Sequence, residues 1–212
     1  MIDNEVLIKG GHVVDPATGL DGHADIFIKD GKIKTVSNDI KPNNHTRVID
    51  ATSRYVIPGL IDCHVHLREP GLEYKETIET GSRAAAVGGY TTLICEPNTL
   101  PPIDSLEMVA SFMERVNQKG VVNIYTKACI TKGLLGEELT DIAKLATDKR
   151  VRALSDDGNP VFYESLMKRA CELAAQNKLI ISPHCEDSQI SLDKAKTNTN
   201  VAHFPGKPFC HE

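Results

Sequence analysis

VIPGLIDCHVHLREPG, residues 56–71, is the stretch from which the fold can be predicted. Its first twelve residues form a short apolar run typical of a buried strand, and the turn-forming pair Pro70-Gly71 follows. His64 and His66 are two residues apart, so on a strand both side chains point to the same face, where two imidazoles can bind one metal ion. An isolated pair of this kind is more often two ordinary exposed or core histidines. The position of the pair in the fold must therefore decide whether it binds a metal ion.

Downstream of this strand, short apolar runs alternate with segments of helical period, which is the pattern of βα units around a parallel sheet. A closed (β/α)8 barrel needs eight strands and about 250 residues. The sequence therefore predicts an α/β fold, an incomplete TIM-type barrel of about five strands over residues 57–212. The predicted strands are 56–67, 90–97, 121–130, 150–158 and 179–187, and the predicted helices are 74–88, 104–118, 136–148 and 163–177.

Local signals place the ends of one helix. Asp104 or Ser105 is the expected N-cap of the second helical segment, and Gly120 is its expected C-terminal stop.

Upstream of residue 57 the pattern is different. Residues 1–56 alternate apolar and polar positions around turn signals, and Asp30-Gly31 in the middle of one alternating stretch is a strong hairpin signal. We predict a small antiparallel β unit here, the N-terminal part of a β-sandwich-like domain. The segment contains no plausible catalytic cluster.

Composition narrows the classes of partner. The formal net charge is -5, with no basic stripe, which argues against nucleic acid and anionic membranes and favours a small-molecule substrate. No apolar run approaches the roughly 18 residues of a membrane span, and the start lacks the features of a signal peptide, so we expect a cytoplasmic protein. The six cysteines include no CxxC pair and are expected to be free thiols.

Polar groups also fall at the ends of other predicted strands. Asn98 follows the second strand, Asp156 and Asp157 follow the fourth, and His184 lies within the fifth. Each has an ordinary explanation as a turn former, a helix cap or a core histidine. In βα barrels, however, the active site is built at the carboxyl ends of the strands, and the joint occurrence of these groups favours a site.

These residues also carry a family resemblance. The strings PGLIDCHVHLREPG (58–71), GGYTT (88–92), PNT (97–99), SDDG (155–158) and HCED (184–187) resemble dihydroorotase of the amidohydrolase superfamily, over essentially the whole chain. The resemblance implies that His64 and His66 bind a first zinc ion and that His184 binds a second. It also implies that Arg68 and Asn98 hold the substrate carboxylate.

The end of the fourth strand separates this family from its relatives. Dihydropyrimidinases, hydantoinases and allantoinases carry a carboxylated lysine there, whereas this strand ends in Asp156-Asp157 and Lys149 precedes it. The chain thus resembles the dihydroorotase subgroup in which an aspartate replaces the lysine. Spacing to His184 favours Asp157 over Asp156 as the ligand, and whether the site holds one zinc ion or two stays open.

The implied activity is the reversible hydrolysis of dihydroorotate to carbamoyl aspartate, in pyrimidine biosynthesis. A strand-six histidine, a strand-eight aspartate that shuttles the proton and a closing loop are expected beyond Glu212, so no catalytic residue is assignable and this chain alone is expected to be an inactive fragment. One departure is Glu96, which stands where relatives often carry an apolar residue before PNT.

Two alternatives remain. One is a hydrolase of the dihydropyrimidinase, hydantoinase or allantoinase type. The other is a non-catalytic dihydroorotase-like partner of aspartate carbamoyltransferase, and family analogy offers that transcarbamoylase or a second copy of the chain as a protein partner.

Overall fold

A computed structural model describes residues 4–161 and 163–186 of the chain. It divides into two compact units between Gly59 and Leu60, slightly after the boundary expected at residue 56. Each unit is built on its own five-stranded sheet. No helix among the described residues is long and apolar enough to cross a membrane.

The N-terminal unit is one sheet in which a long first strand contacts three others. Its strands are β1 (Glu5–Asp15), β2 (Leu20–Lys29), β3 (Lys32–Ser37), β4 (Arg47–Asp50) and β5 (Tyr55–Val56). The predicted hairpin at Asp30-Gly31 is confirmed, since β2 and β3 are antiparallel and both turn residues have left-handed φ angles of 52° and 70°.

The expectation of a purely antiparallel unit is wrong. β4 and β5 both pair in parallel with β1, β4 along Val6–Lys9 and β5 along His12–Val13. A register shift between Ile8 and Gly11 separates these two halves of β1. Alternation of apolar residues reports which face of a strand is buried, but it carries no information on the direction of the neighbouring strand.

A buried carboxylate stabilises this irregular region. Asp25, 5% exposed, accepts hydrogen bonds from the backbone N–H of Gly10 at 2.8 Å and of Ile40 at 2.9 Å, and from Lys9 Nζ at 3.2 Å. Burial alone would raise the pKa of Asp25, but these donors together hold it below its usual value.

The second unit is a curled half-barrel, as predicted. Its strands are β6 (Leu60–Val65), β7 (Tyr90–Cys95), β8 (Asn123–Ala128), β9 (Val151–Leu154) and β10 (Ile180–Ile181), all parallel and adjacent in chain order. Its helices are α1 (Ile78–Val87), α2 (Leu106–Lys119), α3 (Ile142–Leu145) and α4 (Glu164–Gln176). The parallel sheet and its helices confirm the α/β fold class.

The predicted limits of α2 are confirmed. The Ser105 hydroxyl accepts a hydrogen bond from the Met108 N–H at 3.4 Å and caps the helix, which ends at Gly120. Asp104, the other candidate for the cap, accepts instead from the Gly133 N–H at 2.8 Å. On its inner face α2 buries four apolar side chains, Val109, Phe112, Met113 and Val116.

The third predicted helix, 136–148, is reduced to the single turn of α3. The preceding segment is held in a loop, because the Lys132 N–H bonds to Glu138 O at 2.8 Å and the Thr140 hydroxyl bonds to Cys129 O at 2.9 Å. Gly133 and Gly136 have left-handed φ angles of 60° and 77°. Tertiary hydrogen bonds therefore override the helical period.

Strand five is also shorter than predicted. The expected strand over 179–187 contains only the two residues of β10, and its last residue lies outside the described part of the chain.

The described cysteines are free thiols, as expected, and Cys210 lies outside the described residues. Burial raises the pKa of the Cys95 thiol to about 12, and it raises that of Cys129 well above the usual value. Both are therefore inert packing groups in the core.

The loop after β6 packs tightly against the loop after β7. Leu100 N–H donates to Pro70 O at 2.9 Å, and Gly71 has a left-handed φ of 92°. A Cβ atom on Gly71 would lie 2.0 Å from the Leu100 carbonyl oxygen. Only glycine fits this position, because both the backbone angle and the space exclude a side chain.

We expect Asp25→Asn to lower the free energy of unfolding by about 1–3 kcal/mol at pH 7, since one acceptor of a buried network becomes a donor. A depressed carboxyl pKa stabilises the fold above the unfolded value and loses that contribution as pH falls through the folded value. The difference from wild type should therefore shrink below about pH 4 in urea unfolding. Asp21→Asn, at an exposed position of the same strand, is the control. A gap of equal size at pH 7 and pH 3 would contradict the role of the ionised carboxylate.

Gly71→Ala should destabilise the protein more than Gly89→Ala. Gly89 also has a left-handed φ, of 84°, but a Cβ there meets nothing within 4 Å. Both variants bear the backbone cost of about 1–2 kcal/mol, and Gly71→Ala should lose about 1–3 kcal/mol more through overlap with Leu100. Thermal and urea unfolding measure the difference. Equal losses would show that the two loops do not need their close approach.

Candidate metal centre

The carboxyl ends of the half-barrel strands bring several predicted site residues to one edge. His64 lies near the end of β6 and His66 just after it, Asn98 follows β7, and Asp157 follows β9. His184 follows β10. Parallel pairing puts all these ends on the same side of the sheet.

Three of these residues offer ligand atoms that converge. Asp157 Oδ1 lies 3.6 Å from His64 Nε2, and Asp157 Oδ2 lies 3.6 Å from His66 Nε2. One donor atom from each of the three residues lies within 4.8 Å of the others. Two imidazoles and a carboxylate are a donor set that zinc accepts, with bonds of about 2.0–2.2 Å to each. The residues therefore fit a divalent metal ion after small side-chain adjustments.

The second nitrogen of His66 faces an acceptor. His66 Nδ1 lies 3.1 Å from Asn98 Oδ1, and Asn98 Nδ2 donates to Asp157 Oδ2 at 3.0 Å. Because an amide oxygen only accepts, the proton of His66 belongs on Nδ1, which leaves the Nε2 lone pair directed toward Asp157. Asn98 thus links two candidate metal ligands, and its predicted contact with a substrate carboxylate stays a prediction.

The second nitrogen of His64 also lies near an acceptor, at an ion-pair distance rather than in a hydrogen bond. Its Nε2 faces Asp157, and its Nδ1 lies 3.2 Å from Oε1 of the buried Glu96. The sequence motifs did not indicate a role for Glu96. Two features of the sequence could have pointed to Glu96. It is a charged residue at an otherwise apolar position beside PNT, and Lys127 in the neighbouring strand is a possible ion-pair partner.

His184 lies near the centre but outside the group of three. Its Nδ1 is 3.8 Å from Asp157 Oδ1, and its Nε2 is 2.8 Å from Glu186 Oε2. Its role as a ligand of a second metal ion stays a prediction.

The two adjacent aspartates face different surroundings. Asp156, 1% exposed, accepts hydrogen bonds from the backbone N–H of Ile130 at 2.7 Å and of Thr131 at 3.2 Å, and also from the Thr131 hydroxyl. Burial raises the pKa of Asp156, while these hydrogen bonds oppose the shift. Asp156 therefore holds the loop after β8, and Asp157 is the aspartate that faces the histidines.

Arg68 lies two residues past His66 and is half-buried, with a left-handed φ of 58°. Within residues 4–161 and 163–186 its guanidinium makes no hydrogen bond or ion pair. Its contact with a substrate carboxylate stays a prediction.

Comparison with known proteins places the chain in a family. A family model described as dihydro-orotase-like matches residues 53–209. Curated dihydroorotases are similar over most of the chain. The protein from Acetivibrio thermocellus is 46% identical over 88% of this chain and 43% of its own length. The dihydroorotase from Ruminiclostridium cellulolyticum is 48% identical over 96% of this chain and 48% of its own length. The chain thus spans about half the length of the curated relatives it matches.

Solved structures with a similar fold include two hydantoinases. An L-hydantoinase (dihydropyrimidinase) from Arthrobacter aurescens superimposes with a TM-score of 0.79 at 24% identity, over 93% of this chain and 45% of its own. A D-hydantoinase superimposes with a TM-score of 0.75 at 26% identity, over 91% of this chain and 42% of its own. At 24% identity, the similarity to the L-hydantoinase shows a shared fold and nothing more. The family match and the curated relatives together show that this chain belongs to the dihydroorotase-like family of the amidohydrolases.

Proposed function

We propose that the protein is a zinc-dependent dihydroorotase, which interconverts dihydroorotate and carbamoyl aspartate in pyrimidine biosynthesis. The observation that carries the proposal is the convergence of His64, His66 and Asp157 at the carboxyl edge of the half-barrel. The named dihydroorotases among the relatives, at 46–48% identity, support the choice of substrate.

His64, His66 and Asp157 would hold the first zinc ion, and His184 would contribute to a second if one is bound. A zinc ion bound there would supply a Lewis acid that can polarise an amide carbonyl and lower the pKa of water toward neutrality. Asp157 has an exposed fraction of 17% at its side chain, and His66 of 29%, so the donors can be reached by an ion from the open edge.

Arg68 and Asn98 would bind the substrate carboxylate. A guanidinium offers two parallel N–H donors that match the two oxygens of a carboxylate, and the Arg68 guanidinium has no polar partner within the described ranges that it would have to leave. Binding the carboxylate beside the zinc would orient the ring amide toward the metal.

Three carboxylates close to the paired histidines are already engaged and are poor candidates for the acid that protonates the leaving nitrogen. Asp157 faces two histidines, Glu96 pairs with Lys127, and Asp156 accepts hydrogen bonds from the loop after β8. General acid catalysis is worth about 10²- to 10⁴-fold. We propose that this acid lies outside the described residues and that these residues alone are inactive.

The alternative of a hydantoinase or dihydropyrimidinase is weaker, despite the structural likeness. Those enzymes are expected to carry a carboxylated lysine at the end of β9, where this chain has Asp156-Asp157. Lys149 precedes β9, and Lys127 lies on β8, where it is paired with Glu96. A cytoplasmic location, and a second copy of the chain or aspartate carbamoyltransferase as partner, remain expectations from family analogy.

We expect the purified protein, at the full length that its gene encodes, to bind zinc, and His66→Ala to weaken binding and abolish turnover. Competition with a chromophoric chelator measures the affinity, and ring opening of dihydroorotate measures the activity. His45→Ala, which removes an exposed histidine of the N-terminal unit, should change neither. Full activity in His66→Ala would refute the site.

Substrate choice tests Arg68. Dihydrouracil is dihydroorotate without the carboxylate, so the wild-type protein should strongly prefer dihydroorotate. Arg68→Gln should raise KM for dihydroorotate, at a cost of about 1.5–3 kcal/mol for a lost charged hydrogen bond, and leave zinc affinity unchanged. Faster turnover of dihydrouracil or hydantoin by the wild-type protein would favour the alternative family.

A further inference from the structure

Glu96 and Lys127 form a buried ion pair inside the half-barrel. Glu96 is 1% exposed and Lys127 is 3% exposed, and Lys127 Nζ donates to Glu96 Oε1. Lys127 also donates to the Ser182 hydroxyl at 2.9 Å. The pair thus spans β7 and β8 and reaches the segment that follows β10.

The burial of this ion pair is unfavourable and needs a physical explanation. Removing a carboxylate and an ammonium from water costs several kcal/mol per ion, and replacement of a buried pair by apolar side chains is often neutral or stabilising. Stability alone therefore does not explain the pair.

The hydrogen bonds of the carboxylate are also incomplete. Glu96 Oε2 is buried and has no hydrogen-bond partner among the described residues. A carboxylate whose purpose is to tie strands together would be expected to use both oxygens, because an unsatisfied buried acceptor costs free energy.

The remaining contact of Glu96 is with the candidate metal centre. Its Oε1 lies 3.2 Å from His64 Nδ1, while His64 Nε2 faces Asp157. A carboxylate can only accept from a neutral imidazole, so a small rotation of the His64 ring that completes this hydrogen bond would put the proton on Nδ1 and leave Nε2 as the metal-facing lone pair. His64 is otherwise exposed at 54% of its side chain, so few packing contacts hold its ring.

We propose that Glu96 is a positioning residue for His64 and that Lys127 neutralises the charge of Glu96. Glu96 fixes the tautomer and the orientation of the His64 ring and makes Nε2 a stronger donor to the metal ion. Asn98 does the same for His66 with an uncharged oxygen. This inference rests on the proposed metal site, and it adds two residues that the sequence motifs of that site do not include.

The test compares Glu96→Gln with Glu69→Gln in the full protein. Glu69 is the matched control because it is also 1% exposed and also paired with a lysine, Lys119, but it accepts from the Ile78 N–H rather than from a histidine. The third variant is the double substitution Glu96→Met and Lys127→Met, which removes both charges and keeps the core filled. Zinc affinity, the visible spectrum of the Co²⁺-loaded protein and the thermal midpoint of the metal-free protein are measured for each.

Glu96→Gln should bind zinc about 10- to 100-fold more weakly, the usual effect of losing a carboxylate behind a metal-bound histidine. Its cobalt spectrum should shift. The double variant should fold and still bind zinc weakly, because the acceptor for His64 is missing. Glu69→Gln should lower the thermal midpoint and leave zinc affinity and the cobalt spectrum unchanged.

Three outcomes would overturn the inference. Wild-type zinc affinity in Glu96→Gln or in the double variant would make the pair a structural ion pair and would leave the proposed site standing. A loss as large as that of His66→Ala would make Glu96 a direct ligand. Absence of zinc binding in the folded wild-type protein would overturn the site and the positioning role together.

Discussion

The parallel pairing of the half-barrel strands is the constraint on which the candidate site depends. Backbone hydrogen bonds continue to the last residues of the strands, with the N–H of Glu96 bonded to Val65 O at 2.8 Å, that of Ser155 to Ala128 O at 2.9 Å and that of Ser182 to Leu154 O at 2.9 Å. These bonds fix how far each strand extends. The polar residues that follow are therefore placed within reach of one another.

Each of the two histidines has an acceptor near its Nδ1 atom, on the side of the ring away from the candidate metal position. An imidazole can present either nitrogen, and a wrong tautomer would direct a proton rather than a lone pair at the metal position. Asn98 removes this ambiguity for His66 by a hydrogen bond, and we propose that the Glu96 carboxylate, 3.2 Å from His64 Nδ1, does so for His64. Both acceptors follow β7, so the segment after one strand faces two candidate ligands from the neighbouring strand.

Buried carboxylates have different roles in the loop after β6, in the loop after β8 and at the candidate metal site. Glu69 accepts from the first N–H of α1 and pairs with Lys119 of α2, which ties the loop after β6 to two helices. Asp156 holds the loop after β8 by backbone hydrogen bonds. Both make contacts that explain their burial, whereas Glu96 reaches outward to a histidine and keeps one oxygen without a partner in the described part of the chain.

The sequence by itself determined the α/β half-barrel, the hairpin at Asp30-Gly31 and the C-terminal end of α2 at Gly120, because apolar period and turn chemistry act over a few residues. It also marked the strand ends where His64, His66 and Asp157 lie. Only the tertiary structure decided the parallel strands of the N-terminal unit, the loss of most of the third helix and the contact between Glu96 and His64. Each of these depends on specific hydrogen bonds or ion pairs between residues six or more positions apart, and a one-dimensional pattern contains no record of such partners.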